Sequence, residues 1–132
     1  MILYLLDTNI VSYLFKRDSR AMAYLPHFQG QRLHLSFMTV AEIYRWPFER
    51  NWSEQRRQTL ESFLRTHFTI LRSDNQLAWT WAELVGLTMR GQPMSIADSW
   101  IAATALQHGM PLVTHNAKHF KSVPGLALIT EP

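Results

Sequence analysis

The sequence predicts an α/β domain built around a central, mostly parallel sheet of four to five short strands flanked by helices. Residues 1–6 form a continuous apolar run that stops abruptly at Asp7, which is typical of a strand buried on both faces. Short apolar runs then alternate with stretches of helical spacing, as they do in folds with a parallel sheet. The chain has 132 residues, of which 47% are apolar, so we expect one core and a single domain over residues 1–132.

The remaining elements follow from the same two patterns. Further strands are predicted at residues 33–36, 68–71, 112–114 and 126–129, where apolar segments are short. Apolar residues at three- and four-residue spacing predict helices at residues 10–15, 21–28, 40–44, 53–66, 75–89 and 96–108. Gly91 and Pro93 indicate a turn between the last two helices, and Gly109 ends the last one before Pro111 opens the next strand.

Composition excludes several classes of protein. The absence of cysteine excludes disulfide scaffolds, thiolate zinc sites and cysteine nucleophiles. No apolar run approaches the roughly 20 residues that span a bilayer, and the N-terminus lacks the basic start of a signal peptide, so we expect a cytoplasmic protein with no membrane contact. The net charge is +3, and most of the cations are arginines, which favours nucleic acid or an acidic protein as partner.

Three acids stand out because they lie within apolar sequence: Asp7, Glu42 and Asp98. Each has a purely structural interpretation. Thr39-x-x-Glu42 and Ser95-x-x-Asp98 match the capping box, in which a first-turn carboxylate reaches back to the free N–H groups of the helix, and Asp7 is placed to cap the helix that follows it. Both interpretations remain open from the sequence alone.

Topology brings the three acids together. Right-handed crossovers place the C-terminal ends of all parallel strands at one edge of the sheet, here called the carboxyl edge. Asp7 follows the first strand, Glu42 is predicted in the first turn of the helix after the second, and Asp98 opens the helix that leads down into the strand at residue 112. Asn116 follows that strand. Asp98 also shares a helix face with apolar residues three, four and seven positions later, so we expect it to point inward.

Converging carboxylates repel one another unless a cation joins them. With oxygen ligands and no cysteine, Mg²⁺ fits best and Mn²⁺ is an alternative, and the usual substrates of such sites carry phosphate. Ligands of open α/β sheets also bind at the carboxyl edge. The sequence therefore predicts a divalent-metal site there.

At these positions the chain resembles the PIN-domain ribonucleases, and in particular the VapC-type toxins of bacterial toxin–antitoxin pairs. The resemblance covers essentially the whole chain. It is carried, in this order, by Leu5-Leu6-Asp7-Thr8-Asn9, Thr39-Val40-Ala41-Glu42-Ile43, Ile96-Ala97-Asp98-Ser99-Trp100-Ile101-Ala102-Ala103 and Leu112-Val113-Thr114-His115-Asn116, followed by His119-Phe120.

The resemblance implies a PIN-domain-like three-layer fold and Mg²⁺-dependent endonucleolytic cleavage of structured RNA, such as a tRNA loop. It makes Asp7, Glu42 and Asp98 the metal-binding acids. Asn116 stands where many members carry Asp, which lowers the negative charge and leaves one or two metals open. Thr8 and Thr114 are then donors that orient the carboxylates, although ordinary strand-end capping explains them equally well.

The resemblance also implies partners: a VapB-like antitoxin and a second copy of the chain in a homodimer. Arg45, three residues after Glu42, and His115 are candidate contacts for RNA or antitoxin, and His119 lies near the same edge. Trp79 cannot share the core-facing side of its helix with Trp81, and Trp46 and Trp52 flank the helix-breaking Pro47, so we expect exposed aromatic surface at an interface.

Two other functions remain compatible with parts of the pattern. A catalytically silent PIN-like binding or scaffold module would keep the fold and the interface, and Asn116 leaves room for it. A phosphatase of the haloacid dehalogenase type also has an Asp after its first strand, but it needs Asp-x-Asp, and here the second position is Asn9.

Overall fold

A five-stranded sheet in which all neighbouring strands run parallel lies at the centre of the molecule. The computed structural model describes residues 2–88 and 94–132. The strands follow the order β3-β2-β1-β4-β5, so the first strand is central, as its apolar sequence requires. Their bounds are β1 Leu3–Leu6, β2 Arg32–Leu35, β3 Thr69–Ile70, β4 Leu112–Val113 and β5 Leu128–Ile129. All five predicted strands are confirmed; four of them are shorter than predicted, and β2 is shifted by one residue toward the N-terminus.

Helices cover both faces of the sheet. They are α1 Thr8–Lys16, α2 Leu25–Phe28, α3 Phe37–Tyr44, α4 Trp46–Glu49, α5 Glu54–His67, α6 Asn75–Thr88 and α7 Ile96–His108, with short 3₁₀ helices at Ser19–Ala23 and Ala117–His119. Because successive side chains of a strand point to opposite faces, Tyr4 and Leu6 join a core with α1, α3 and α5, whereas Leu5 joins a second core with α6 and α7. The α/β architecture with three layers is thus confirmed.

Two predicted helices differ from the structure. The segment 21–28 is not one helix, because the ring of Pro26 lies in the first turn of α2 and cannot continue a preceding helix, so a 3₁₀ turn precedes it. Helix α3 begins at Phe37 rather than residue 40, because the Ser36 hydroxyl accepts the Thr39 N–H at 3.0 Å and caps the helix one turn earlier.

Three predicted features fall partly or wholly outside the described residues: Met1 of the first strand, Met89 at the end of α6, and the turn at Gly91 and Pro93. In the described part of the chain, no helix has the length and the hydropathy that crossing a membrane requires.

Candidate metal centre

Asp7 lies at the carboxyl edge between β1 and α1 and is only 5% exposed. As predicted, it caps the following helix: its carboxylate oxygen Oδ1 accepts the Thr8 N–H at 2.8 Å. The other oxygen, Oδ2, accepts the Thr114 hydroxyl at 2.7 Å, across the pairing of β1 with β4. Both carboxylate oxygens are therefore held in a fixed orientation by the ends of two adjacent strands.

Glu42 lies in the second turn of α3, not in its first turn as the sequence suggested. The earlier cap at Ser36 moves the start of the helix back, so Thr39 and Glu42 do not form a capping box. Instead, Glu42 Oε1 accepts the Thr8 hydroxyl at 2.6 Å. Thr8 thus bridges two acids, since its N–H binds Asp7 and its hydroxyl binds Glu42.

Asp98 lies in the first turn of α7, where Ser95 caps the helix by accepting the Asp98 N–H at 3.1 Å. Its side chain is 22% exposed, and the Ile101, Ala102 and Ala105 positions on the same face are buried, which confirms the predicted inward face. Asp98 Oδ2 lies 3.4 Å from His119 Nδ1.

The pKa of Asp7 depends on the other two acids. The pKa of the Asp7 carboxyl is raised from 3.8 to about 6. Burial is the largest cause and the negative charges of Asp98 and Glu42 add to it, whereas the hydrogen bonds from Thr114 and Thr8 act in the opposite direction. Three acids distant in sequence therefore share one electrostatic environment at the carboxyl edge. The hydroxyl and amide donors there do not offset the cost of ionising Asp7.

The donor set suits a hard divalent cation, because it consists of carboxylate oxygens around an acid that burial makes costly to ionise. Each carboxylate nevertheless has its own protein partner. Within residues 2–88 and 94–132, no three side chains of His, Cys, Asp or Glu form a group that could hold a metal ion. The chemistry of the donors therefore fits a divalent cation, but among the described residues the three carboxylates do not already form a group with metal-binding geometry.

Asn116 follows β4 at the same edge, with its backbone N–H donating to the Thr114 hydroxyl at 3.0 Å. Its side chain is exposed and makes no capping hydrogen bond to the 3₁₀ helix that follows. The structure thus brings Asn116 near the acids through Thr114, which links it to Asp7.

The predicted contact residues lie elsewhere. The exposed Arg45 forms an ion pair with Glu49 at 3.6 Å rather than with Glu42. His115 packs edge-on against the rings of Tyr13 and Tyr24, and its Nδ1 lies 2.6 Å from the Tyr24 hydroxyl. Its immediate surroundings are aromatic rather than carboxylate.

The tryptophans follow the predictions in part. Trp79 is 68% exposed, as expected, while Trp81 stacks on Trp100 with ring centroids 4.6 Å apart. The expectation for Trp46 was wrong, because this side chain is 8% exposed and packs edge-on against Trp52. Pro47 is the second residue of α4 instead of ending the helical path, and the register of that short helix exposes Phe48 in place of Trp46.

Sequence reasoning missed two contacts at the edge. Thr39, seen there only as a cap, lies with its hydroxyl oxygen 3.2 Å from that of Thr8. His119, noted for its position, is the partner of Asp98. The spacing from Asn116 to His119 across one 3₁₀ turn was the available signal for the second contact.

Comparison with known proteins identifies the family. A family model described as the PIN domain matches residues 4–126. The chain is 34% identical to Ribonuclease VapC2 of Haemophilus influenzae over 134 residues, covering 99% of this chain and 98% of that protein. It is 32% identical to Ribonuclease VapC1 of the same species, covering 94% of each.

A more distant relative, the tRNA(fMet)-specific endonuclease VapC of Salmonella typhimurium, is 24% identical to this chain, and the alignment covers 97% of each protein. Among solved structures, VapBC-1 from nontypeable Haemophilus influenzae superimposes with a TM-score of 0.82 at 28% identity, covering 98% of each chain. The chain therefore belongs to the PIN-domain family and, within it, to the VapC ribonucleases.

Proposed function

We propose that this protein is a divalent-metal-dependent endoribonuclease and acts as the toxin of a toxin–antitoxin pair. The observation that carries the proposal is the gathering of Asp7, Glu42 and Asp98 at the carboxyl edge, where the charges of the other two raise the pKa of the buried Asp7. Membership of the VapC ribonucleases supports RNA as the substrate.

Asp7, Glu42 and Asp98 are the residues that would hold Mg²⁺, or Mn²⁺ in its place. When bound, the cation supplies a Lewis acid that activates water and neutralises phosphate charge. Asn116 contributes a neutral amide where a fourth carboxylate would add negative charge, so we expect any second cation to bind more weakly than the first.

The threonines position the acids. Thr114 fixes one oxygen of Asp7, and Thr8 fixes the other while its hydroxyl holds Glu42. Rotation of either carboxylate would break a hydrogen bond to a charged group, which is worth about 1.5–3 kcal/mol. Carboxylates held in this way lose little further conformational entropy when they bind a cation, which is the benefit of a preorganised site.

His119 faces the third acid. Its Nδ1 lies 3.4 Å from Asp98 Oδ2, and the imidazole is about half exposed. We propose that His119 orients the Asp98 carboxylate, in the same way that the threonines orient the other two acids.

The substrate we propose is structured RNA, and a tRNA loop is the leading candidate, because a relative is named for cleavage of a tRNA. The protein partner we propose is a VapB-like antitoxin, since the similar structure from Haemophilus influenzae is a VapBC protein. The site of action would then be the cytoplasm, where such RNA is found.

Cleavage of tRNA by the purified chain tests the proposal directly. We expect cleavage with Mg²⁺ or Mn²⁺ and none with EDTA, and Asp7→Asn and Asp98→Asn should each lower the rate at least a hundredfold, because several kcal/mol of transition-state stabilisation are lost. Circular dichroism of each variant checks that the fold is kept. Equal activity in the wild type and both variants would contradict the assignment, and a chain that binds antitoxin but cleaves no RNA would be a silent PIN-like module.

We also propose a homodimer that uses the exposed Trp79 on α6. Burial of an aromatic side chain at a subunit interface stabilises association, and a large exposed Trp is uncommon on a surface without a partner. Light scattering of the purified chain should give twice the monomer mass, and Trp79→Ala should halve it. Trp81→Phe, which keeps an aromatic ring in the stack with Trp100, should not change the mass.

A further inference from the structure

A set of five exposed cations lies where α1 ends and where α4 leads into α5. We name this set the basic–aromatic patch; its members are Lys16, Arg17, Arg50, Arg56 and Arg57. Across the part of the chain that the structure describes, none of the five forms an ion pair. The patch holds more positive charge than the net +3 of the whole chain.

The acids nearest to the patch in sequence are already engaged with other groups. They are Asp18, which binds Arg20 at 2.8 Å; Glu49, which lies 3.6 Å from Arg45; and Glu54, which accepts the Gln58 amide at 3.4 Å. None of these three acids forms an ion pair with a cation of the patch.

Aromatic rings lie beneath four of the cations. The Arg56 guanidinium lies 4.1 Å from the centroid of the Trp52 ring, and Arg57 lies 5.1 Å from Phe48. Lys16 lies 5.6 Å from the Trp46 ring, and Arg50 lies between the two indoles, 5.4 Å from Trp46 and 5.9 Å from Trp52. Rings that carry cations in this way hold positive charge outward. Trp46 is 8% exposed, whereas Phe48 is 71% exposed.

Arg17 occupies a backbone position that favours glycine. It follows the last residue of α1 with φ of 55°, in the left-handed region, where a side chain costs roughly 1–2 kcal/mol. A cation held at a position where glycine is less strained indicates that the charge itself is useful. Together with Lys16 and Arg56, it lines an open groove of about 600 Å³ between α1 and the first turns of α5.

Helix α1 connects the groove to the acids. Asp7 caps its first turn, and Lys16 and Arg17 lie at its end, nine and ten residues later. At about 1.5 Å per residue the separation along the helix axis is about 14–15 Å. A few nucleotides of an RNA strand bridge this distance.

We propose that the basic–aromatic patch binds the sugar–phosphate backbone of the RNA strand a few nucleotides from the bond that is cut. Nucleic-acid interfaces are more positive than protein interfaces, whose centres are apolar. This groove is lined by three cations, Lys16, Arg17 and Arg56, and by polar side chains together with the ring of Phe15. The inference rests on the proposed function in taking RNA as the substrate, and it adds a site remote from the metal.

Fluorescence anisotropy with a labelled 20-nucleotide uridine oligomer tests the proposal, with the full chain in EDTA so that cleavage plays no part. We expect Arg56→Gln to weaken binding about three- to tenfold at 0.1 M salt, and to lower the slope of log affinity against log salt by about 0.7, because one phosphate contact is lost. The matched control is Arg65→Gln, which removes an equally exposed arginine from the same helix but one that pairs with Glu61 at 3.5 Å. It should change affinity less than twofold.

Arg17→Gly separates binding from folding. The variant should melt at the same temperature as the wild type or higher, because glycine relieves the left-handed strain, and it should still bind RNA three- to tenfold more weakly. Loss of affinity accompanied by a lower melting temperature would indicate a structural role and overturn the inference for this residue.

Equal loss of affinity in Arg56→Gln and Arg65→Gln would mean that only net charge matters, and would overturn the proposal. So would unchanged RNA affinity combined with weaker binding of the antitoxin, which would assign the patch to a protein. Failure of the proposed function would give a different result. A wild-type chain that binds the oligomer through the patch but cleaves no RNA with Mg²⁺ would contradict the catalytic assignment and would leave the RNA-binding role of the patch supported.

Discussion

The two ends of helix α1 carry opposite charges, and the acidic end is buried whereas the basic end is exposed to solvent. At the first turn, Asp7 is buried and accepts two hydrogen bonds. Burial and two neighbouring acids raise the pKa of its carboxyl. At the last turn, Lys16 and Arg17 are exposed and lie beside aromatic rings or an open groove. The acids are fixed in place at a cost in stability that comes from burial and charge repulsion, whereas the cations lie in solvent and the cost there is confined to the left-handed backbone of Arg17.

The difference corresponds to two tasks. A reacting phosphate needs groups held within a fraction of an ångström, so the acids are anchored by Thr8 and Thr114. A strand that only needs to be retained can be bound by mobile charges at the surface, whose strength depends on their number and on salt. The following predictions would break or sharpen this contrast.

The largest effect that we predict on stability concerns Asp7. Its pKa of about 6 lies above the ordinary value of 3.8, so the folded apo protein takes up a proton more readily than the unfolded chain. The stabilisation that this provides is complete below about pH 4 and is lost as the pH rises through about 6. At pH 7 in EDTA, Asp7→Asn should therefore raise the free energy of unfolding by up to about 3 kcal/mol.

Thermal or urea unfolding at pH 7 and at pH 4 checks this prediction. The gain from Asp7→Asn should be present at pH 7 and mostly lost at pH 4, because the carboxyl of the folded wild type is then neutral, while that of the unfolded chain, with a pKa of 3.8, is only partly ionised. A variant that is less stable than the wild type at pH 7 would mean that the cap on α1, and not repulsion, dominates the energetics of Asp7.

The next effect concerns the hydroxyl that holds Asp7. Thr114→Val removes the hydrogen bond of 2.7 Å to Oδ2, and we expect RNA cleavage to fall about 10- to 100-fold. The bond also holds the pKa of Asp7 down, so the rise of activity with pH should move to higher pH in the variant. Thr114→Ser keeps the hydroxyl and should retain most of the activity. Equal loss in both variants would point to the methyl group and its packing instead.

How far the sequence predicted these two regions depends on what each one is made of. The positions of Asp7 and Asp98 follow from connectivity alone, since parallel strands and the helices joined to them place both at one edge. Glu42 was assigned to the right edge but the wrong turn, because Ser36 and Thr39 both suit a helix cap and the sequence does not decide between them.

The basic–aromatic patch was out of reach for a physical reason. Its cations come from the end of α1 and from both sides of the α4–α5 connection, and they meet through the rings of Trp46 and Trp52. That meeting depends on the register of α4, a helix of four residues whose start at Trp46 no periodic pattern reveals. A solvated helix face is the ordinary interpretation of arginines in such a stretch. It holds for Arg65, which pairs with Glu61 at 3.5 Å.

A smaller effect is expected from Mg²⁺ on the folded state. If the three acids hold the cation, Mg²⁺ at ten times its dissociation constant should raise the free energy of unfolding by about 1.4 kcal/mol. The rise in melting temperature should vanish in Asp98→Asn and persist in Arg56→Gln, because the second residue lies in the patch. A rise of equal size in all three proteins would indicate a general salt effect and would contradict binding at the acids.

The smallest effect is on stability at the patch. Arg56 loses its contact with the Trp52 ring in Arg56→Gln, but both groups remain in contact with water, so the free energy of unfolding should fall by only about 0.5–1 kcal/mol. Urea unfolding of Arg56→Gln beside Arg65→Gln measures it, and both should lie within about 1 kcal/mol of the wild type, since an exposed helix ion pair contributes a similar amount. A loss of 2 kcal/mol or more at Arg56 would mean that the cation supports the packing of α4 on α5. The contrast between the two ends of α1 would then fail, because the basic end, like the acidic end, would be part of the structural framework.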